Sequence, residues 1–268
     1  MTAAGASGLA ARGVEWRVAE RSIVGPLDLE LEPGECLGVV GPNGAGKTSL
    51  LRLLTGLERP SGGVVTLDGR RLADWPAKAR ARRIGYVPQL RPVDVPLTAG
   101  EILLSGRYPY LAASQLAPAA SDFAAVAAAA RRVGVTALLP RPLRELSGGE
   151  RQSVYVAAAL AQASEILVLD EPTTHLDAGN RRRVAALLLE LRRHGGHTLV
   201  VSTHDLRFAG RLCDRVLALK DGHAVVCGPP SEVLVPGVLE PLFDAPFRLW
   251  RDGDELLPVL DLEGERGA

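Results

Sequence analysis

The chain carries no excess of charge of either sign: 31 lysines and arginines balance 31 aspartates and glutamates. No long-range field of one sign draws it to a polyanion, which argues against nucleic acid or an anionic membrane surface as its partner. Cysteine is scarce. Cys36, Cys213 and Cys227 are spaced too widely for a zinc pattern or a disulfide framework, so they read as small core residues in a reducing compartment. Long apolar runs are missing too: no uncharged stretch approaches the ~18 to 20 residues that cross a bilayer. The opening MTAAGASGLAARG lacks the basic start and apolar block of a secretory signal. Membrane spans, if the protein works with any, belong to another chain. What is present is 268 residues, 47 % hydrophobic and 23 % charged, enough to bury a core as one large domain or as a domain with a lobe.

Apolar patterning divides the chain. LDLELEPGE alternates apolar and charged residues at strand period and stops at a Pro-Gly turn, as expected of half-buried antiparallel sheet. CLGVV, Cys36 to Val40, is a continuous apolar run, as expected of a strand covered on both faces. A hairpin is expected to turn at Asp68-Gly69. From about residue 90 to 163 the composition becomes alanine-rich and helical in pattern, broken by prolines, and reads as a helical lobe. Two further apolar strands, EILVLD and HTLVVST, flank the amphipathic helix NRRRVAALLLELRRHG, whose arginine runs read as a solvated face. Strand, helix, strand with buried strands predicts an α/β fold with a mostly parallel sheet. The tail reads as two hairpins with turns at Asp221-Gly222 and Asp252-Gly253. We expect one domain over residues 9–262, with a C-terminal hairpin at about 245–260 and disordered ends at 1–8 and 263–268.

Chemistry concentrates at a few strand ends. GPNGAGKTS runs through Gly41, Pro42, Asn43, Gly44, Ala45, Gly46, Lys47, Thr48 and Ser49. It satisfies GxxxxGK[ST] between a buried strand and a helix. There the backbone N–H groups and the positive end of the helix close around phosphates, Lys47 reaches the terminal phosphates, and the Thr48 hydroxyl can ligate Mg²⁺. The strand ILVLD ends in Asp170 and Glu171. Asp170 is placed to hold Mg²⁺ through water, leaving Glu171 to polarise an attacking water. His204 leaves the next strand and can contact the γ-phosphate. Gln89 ends the short apolar segment IGYVPQ, where its amide can reach Mg²⁺ and that water. Asp177, just past the acids, is equally placed to serve this site or to cap a helix. A second anion-binding helix start stands at Ser147, Gly148, Gly149 and Glu150, in ELSGGERQ. One ATP-sized ligand does not need two such sites within one chain.

These pieces, in this order, resemble the ATPase subunit of an ABC transporter over roughly residues 9–260. GPNGAGKTS resembles the Walker A loop, VPQ the Q-loop, LSGGE the signature, ILVLDE Walker B, THLD the D-loop and STHD the switch histidine. The resemblance implies a P-loop ATPase core with an N-terminal antiparallel part and a helical lobe, using ATP and Mg²⁺. It also resolves the second anion site. Two such subunits pair head to tail, and Ser147, Gly148, Gly149 and Glu150 of one copy act in trans on the ATP held by Lys47 of the other. It implies that Glu171, His204 and Gln89 serve catalysis, that Thr48, Gln89 and Asp170 serve the metal, and that Asp177 lies in the D-loop. The chain departs from the common pattern at Glu150, Ser153 and Ala158, losing two arginines. It also has no aromatic where the family stacks one on adenine. Ungapped counting puts Val18 there, with Trp16 two residues away; a tryptophan packing on an edge strand is the alternative.

LTAGEILLSGRYPYL after Gln89 and the short tail are similar to the ATPases of importers for vitamin B12, ferric siderophores and haem. The resemblance thus implies a homodimer at the cytoplasmic face of the inner membrane, bound peripherally to a separately encoded permease and served by a substrate-binding protein. An exporter ATPase, an importer of another solute such as molybdate, a soluble ABC protein acting on nucleic acid, and a P-loop kinase or motor remain as alternatives. The nucleic-acid reading lacks a fused second cassette, a long coiled coil or a basic face.

Overall fold

The computed structural model describes residues 8–89, 95–112, 117–174, 176–194, 196–252 and 255–261. The ends expected to lack order lie outside the described residues except for Gly8, as do His175 and Gly253, the second residue of the last expected turn. In chain order the elements are β1 (Leu9–Val18), β2 (Arg21–Leu31), β3 (Cys36–Val40), α1 (Lys47–Thr55), β4 (Gly62–Leu67), β5 (Arg70–Arg71), α2 (Ala77–Arg83) and β6 (Ile84–Val87). Then come α3 (Ala99–Ser105), α4 (Ala120–Val133), α5 (Gly148–Ala161), β7 (Ile166–Asp170), α6 (Ala178–His194), β8 (Thr198–Ser202) and α7 (Leu206–Leu212). The chain ends with β9 (Arg215–Lys220), β10 (His223–Gly228), α8 (Pro230–Val233), α9 (Pro236–Phe243), β11 (Phe247–Asp252) and β12 (Glu255–Leu260). They fall into two compact units, residues 1–73 with 200–268, and residues 74–199.

In the first unit an antiparallel sheet runs in the order β2-β1-β4-β5. Its alternation is visible in β2, where Leu27, Leu29 and Leu31 are buried while Asp28 and Glu30 face solvent. The other strands of this unit run β10-β9-β3-β8. All five residues of β3 are buried, and β3 pairs in parallel with β9, Leu37 opposite Arg215. Its start is pinned to the link between α7 and β9. Cys36 N–H donates to Asp214 Oδ2 at 2.9 Å, and Asp214 N–H donates to the Cys36 carbonyl at 2.8 Å. The hairpin β11–β12 runs in register from Phe247 opposite Leu260 to Asp252 opposite Glu255.

In the second unit β6 and β7 pair in parallel, Ile84 opposite Ile166. Helices α3, α4 and α5 meet around Leu103, Ala130, Leu143, Val154 and Ala157, all buried. A capping box starts α3: Thr98 Oγ1 accepts from Glu101 N–H, and Thr98 N–H donates to Glu101 Oε2 at 2.7 Å. A buried ion pair joins the end of α3 to α4. Arg107 Nε lies 3.0 Å from Asp122 Oδ1, with the two side chains 11 % and 6 % exposed. The same guanidinium donates to the Ala161 carbonyl at 2.7 Å and stacks 3.8 Å from the Tyr110 ring centroid. Arg107→Ala removes the cation beside Asp122 and leaves that carboxylate the Ala119 N–H at 2.9 Å, so we expect a loss of stability larger than that of a surface ion pair, measurable by urea unfolding. A loss under about 1 kcal/mol would mean that the pair behaves as a surface ion pair.

Candidate functional site

The phosphate loop belongs to the first unit. After β3 the chain turns through Gly41 to Gly46 and enters α1 at Lys47. Gly46 has φ 97°, and a Cβ there would stand 2.6 Å from the Ile23 carbonyl, so only glycine fits. No side chain caps α1. Its first N–H groups therefore face the loop with the positive end of the helix dipole behind them, the arrangement that binds phosphate. Lys47 is 6 % exposed, and its ammonium donates to the Gly41 and Pro42 carbonyls at 2.8 and 3.0 Å. These bonds hold the loop open around the position an anion takes. The turn between β9 and β10 braces it from behind: Gly222 N–H donates to the Ala45 carbonyl at 3.0 Å, and Gly25 N–H donates to the Gly222 carbonyl at 2.8 Å. Nothing local in the sequence linked Asp221-Gly222 to the loop; its only signal was the turn dipeptide.

His204 belongs to the same unit. Thr203 N–H donates to the Val39 carbonyl at 3.0 Å, which sets the end of β8 beside the end of β3. His204 follows directly and is exposed. Asp205 fixes the departure of the chain, donating its N–H to Thr203 Oγ1 at 3.0 Å and capping α7 by accepting from Phe208 N–H at 3.0 Å.

Gln89, Asp170 and Glu171 lie together in the second unit. β7 is buried throughout and delivers Asp170, itself buried, at its last position. Glu171 then adopts φ 49°, a left-handed conformation that costs a non-glycine residue about 1 to 3 kcal/mol and persists where surrounding structure enforces it. Its Oε2 accepts from Gln89 Nε2 at 3.0 Å and from Thr174 Oγ1 at 3.2 Å. Tyr86 OH donates to Asp170 Oδ2 at 3.3 Å. Both acids are thus oriented by neighbours on β6, just after it, or on the turn that follows β7. Neither Tyr86 nor Thr174 is among the residues expected from the sequence. A tyrosine within an apolar strand that ends near Gln89 was the available signal for the first, and for Thr174 there was none.

The helix start at Ser147 to Glu150, expected to be a second anion site, is also in this unit. Ser147 is the N-cap of α5 and shares a capping box with Glu150. Ser147 N–H donates to Glu150 Oε2 at 2.8 Å, and Ser147 Oγ accepts from Glu150 N–H at 3.3 Å, which leaves the hydroxyl proton to donate outward. The Ser147 N–H and the Arg141 guanidinium, 3.3 Å from Glu150 Oε1, hold the Glu150 carboxyl below its ordinary range. Glu150 at this position is therefore a charged, paired cap. Ser153, where the common pattern has arginine, donates back to the Gly149 carbonyl at 3.0 Å. Asp177 caps α6. Its Oδ1 accepts from Asn180 N–H at 2.8 Å, a bond that holds its carboxyl below the ordinary range.

On β1, Val18 pairs with Arg21 and Trp16 with Val24. Register shifts on either side of Trp16 interrupt the alternation, so simple parity does not put Trp16 where Val18 stands. Val18 is 51 % exposed. If Val18 faces adenine, the base lacks an aromatic stack worth about 0.5 to 1.5 kcal/mol; phosphate contacts would then dominate, and we expect kcat/KM for ATP and GTP to agree within about tenfold. Steady-state hydrolysis of both checks this, and a preference above about a hundredfold would mean that another group reads the base.

Residues 24–174 match the ABC transporter family. The chain is 39 % identical over 241 residues to the hemin import ATP-binding protein HmuV of Streptomyces coelicolor, covering 90 % of this chain and 85 % of that protein. It is 36 % identical over 234 residues to the achromobactin transport ATP-binding protein CbrD of Dickeya dadantii, covering 87 % of each. Among solved structures, one described as an inward-facing conformation of a metal-chelate type ABC transporter superposes with a TM-score of 0.82 at 26 % identity, over 96 % of this chain and 97 % of the other. The dimeric ATP-binding cassette MJ0796 in a post-hydrolysis state with ADP and Pi superposes with a TM-score of 0.73 at 27 % identity, over 83 % of this chain and 98 % of the other. The chain therefore belongs to the ABC transporter family, as one of its ATP-hydrolysing cassettes.

Proposed function

We propose that this protein is the ATPase subunit of an importer that takes up a metal chelate, of the haem, ferric siderophore or vitamin B12 kind, through a separately encoded permease. The observation that carries the reading is the 39 % identity to a hemin import ATP-binding protein across 90 % of the chain. The likeness to an achromobactin transport protein supports the same cargo class. Residues 9–262 act as one cassette, peripheral to the cytoplasmic face of the inner membrane. The stretch after Gln89 faces the permease, and a substrate-binding protein delivers the cargo. No helix among the described residues is long and apolar enough to cross a membrane.

The subunit works as a head-to-tail homodimer. Gly41 to Ser49 take the phosphates of ATP, with Lys47 moving from its own loop carbonyls to the terminal phosphates. The Ser147 to Glu150 helix start of the second copy closes over the same nucleotide, its hydroxyl proton and first N–H groups directed at the γ-phosphate. Thr48, Asp170 and Gln89 offer hard oxygen donors of the kind Mg²⁺ selects, and few of them, as that ion prefers. When bound, Mg²⁺ neutralises charge on the phosphate oxygens. Glu171 removes a proton from the attacking water, and His204 holds that water and the γ-phosphate in line. Gln89 donates to Glu171 Oε2 at 3.0 Å, so a displacement of Gln89 frees one oxygen of the base and ties hydrolysis to the position of the segment next to the permease. ATP is then part of the dimer interface, so binding closes the dimer and hydrolysis loosens it.

The test is to delete the gene and measure uptake of labelled haem, ferric chelates and B12. Loss of one of the three is expected. Unchanged uptake of all three, with loss of transport of molybdate or another solute, would overturn the cargo assignment.

A further inference from the structure

Between α4, α5 and α6 lies a cavity of about 270 Å³. Ser153 of α5 lines it, at the position where the common signature pattern has arginine. The shorter side chain leaves the room that a longer one from the same Cβ would take. Its hydroxyl proton is spent on the Gly149 carbonyl at 3.0 Å, so Ser153 contributes space and no donor. Val184 and Leu187, both buried, make the adjoining wall apolar. Charge at the rim is mainly of one sign: Arg132 from α4 and Arg183 from α6 stand against Glu190 alone. Glu190 is already engaged. Its Oε1 accepts from Arg132 Nε at 3.2 Å and from Nη2 at 3.0 Å, which leaves Nη1 of that guanidinium to donate elsewhere. Arg183 is exposed and, among the described residues, makes no hydrogen bond or ion pair; it acts on the Asp177 carboxyl only through space. Arg183, Leu187 and Glu190 share one face of α6 by their spacing, so cation and apolar wall are presented side by side.

We propose that this cavity is a binding site for a small carboxylate with an aliphatic body. The carboxylate takes charge-assisted hydrogen bonds from Arg183 and from Nη1 of Arg132, and the chain lies against Val184 and Leu187 in the space beside Ser153. The volume falls just under the ~300 to 1,000 Å³ of pockets that hold drug-sized ligands, which suits a smaller molecule. A bare inorganic anion would satisfy the guanidinium and leave the apolar wall wet. A neutral hydrocarbon would fill the wall and leave Arg183 without a counter-ion. Only a ligand with both parts uses the whole lining. Such binding takes place within one chain and requires neither a second copy nor a transported cargo.

Hexanoate is the probe, titrated by calorimetry into the full chain with ADP present to fill the phosphate loop. One equivalent should bind with Kd of about 1 mM or tighter. Hexan-1-ol, which lacks the charge, and inorganic phosphate, which lacks the body, should each bind at least about tenfold more weakly. Arg183→Ala removes the unpaired cation and should cost hexanoate about tenfold in affinity. Ala186→Phe narrows the cavity from an exposed lining position and should abolish binding. Both variants should keep the melting temperature of the free protein, because both positions are exposed. Ser153→Arg should also abolish binding by refilling the space; if it fails to fold, the two exposed variants still decide. No saturable binding of hexanoate to the wild-type chain overturns the site, as does binding that neither Arg183→Ala nor Ala186→Phe weakens. Hexan-1-ol or phosphate binding as tightly as hexanoate overturns the ligand class. Each of these results leaves the proposed function standing.

Discussion

Glu171→Gln should bind ATP normally and hydrolyse it roughly 10² to 10⁴-fold more slowly, the range for losing a general base. The substitution is nearly isosteric. An amide oxygen at this position still accepts from Gln89 and Thr174, which hold Oε2 at 3.0 and 3.2 Å, so the left-handed backbone at residue 171 keeps its support. What is lost is the basicity that takes the proton from water. Nucleotide binding is assigned to the loop around Lys47, which the substitution does not touch. Single-turnover hydrolysis measured beside equilibrium nucleotide binding separates the two quantities. Near-normal turnover would remove Glu171 from its role, and a matching loss of binding would mean that the change disturbs the fold.

The second large effect is expected at Ser147. Replacing it with arginine removes the cap of α5, a loss of about 1 kcal/mol. It also puts a long side chain where the helix start must approach the partner's phosphates. Hydrolysis should fall by on the order of 10²-fold or more, the cost of removing one donor that serves developing charge. Binding of nucleotide to the monomer should stay, because in the proposed dimer Ser147 serves a site on the other chain. Lys47→Ala should do the reverse and weaken binding itself. Titration of each variant with a fluorescent nucleotide distinguishes them, and equal loss of monomer binding in both would contradict donation in trans. If Ser147→Arg turned over ATP normally, the helix start would have no part in catalysis.

The α/β fold was readable because its strands announce their burial. The unbroken apolar run Cys36–Val40 is a strand buried at every position, and the charged alternation of Leu27 to Leu31 is half-exposed antiparallel sheet. Turn chemistry was equally local: β4 and β5 flank Asp68-Gly69, and β9 and β10 flank Asp221-Gly222. Asp177 carried two readings, and the cap bond from Asn180 N–H is seen directly, which does not decide its part in the ATP site. The sequence did not disclose contacts between residues far apart in the chain. Gln89 on Glu171 and Tyr86 on Asp170 depend on β6 lying beside β7, a choice of neighbour that neither strand's own pattern contains. The brace from Gly222 to Ala45 depends likewise on the order β9-β3. The bulge at Trp16, which resets the alternation along β1, was likewise not legible in the strand's own residues.

The central claim is that a complete ATP site takes one half from each of two copies. Light scattering of the purified Glu171→Gln variant, with Mg-ATP and with Mg-ADP, tests it most directly. The account predicts a mass twice that of the chain with Mg-ATP and the mass of a single chain with Mg-ADP. A single-chain mass at saturating Mg-ATP, with nucleotide shown to be bound, would contradict it.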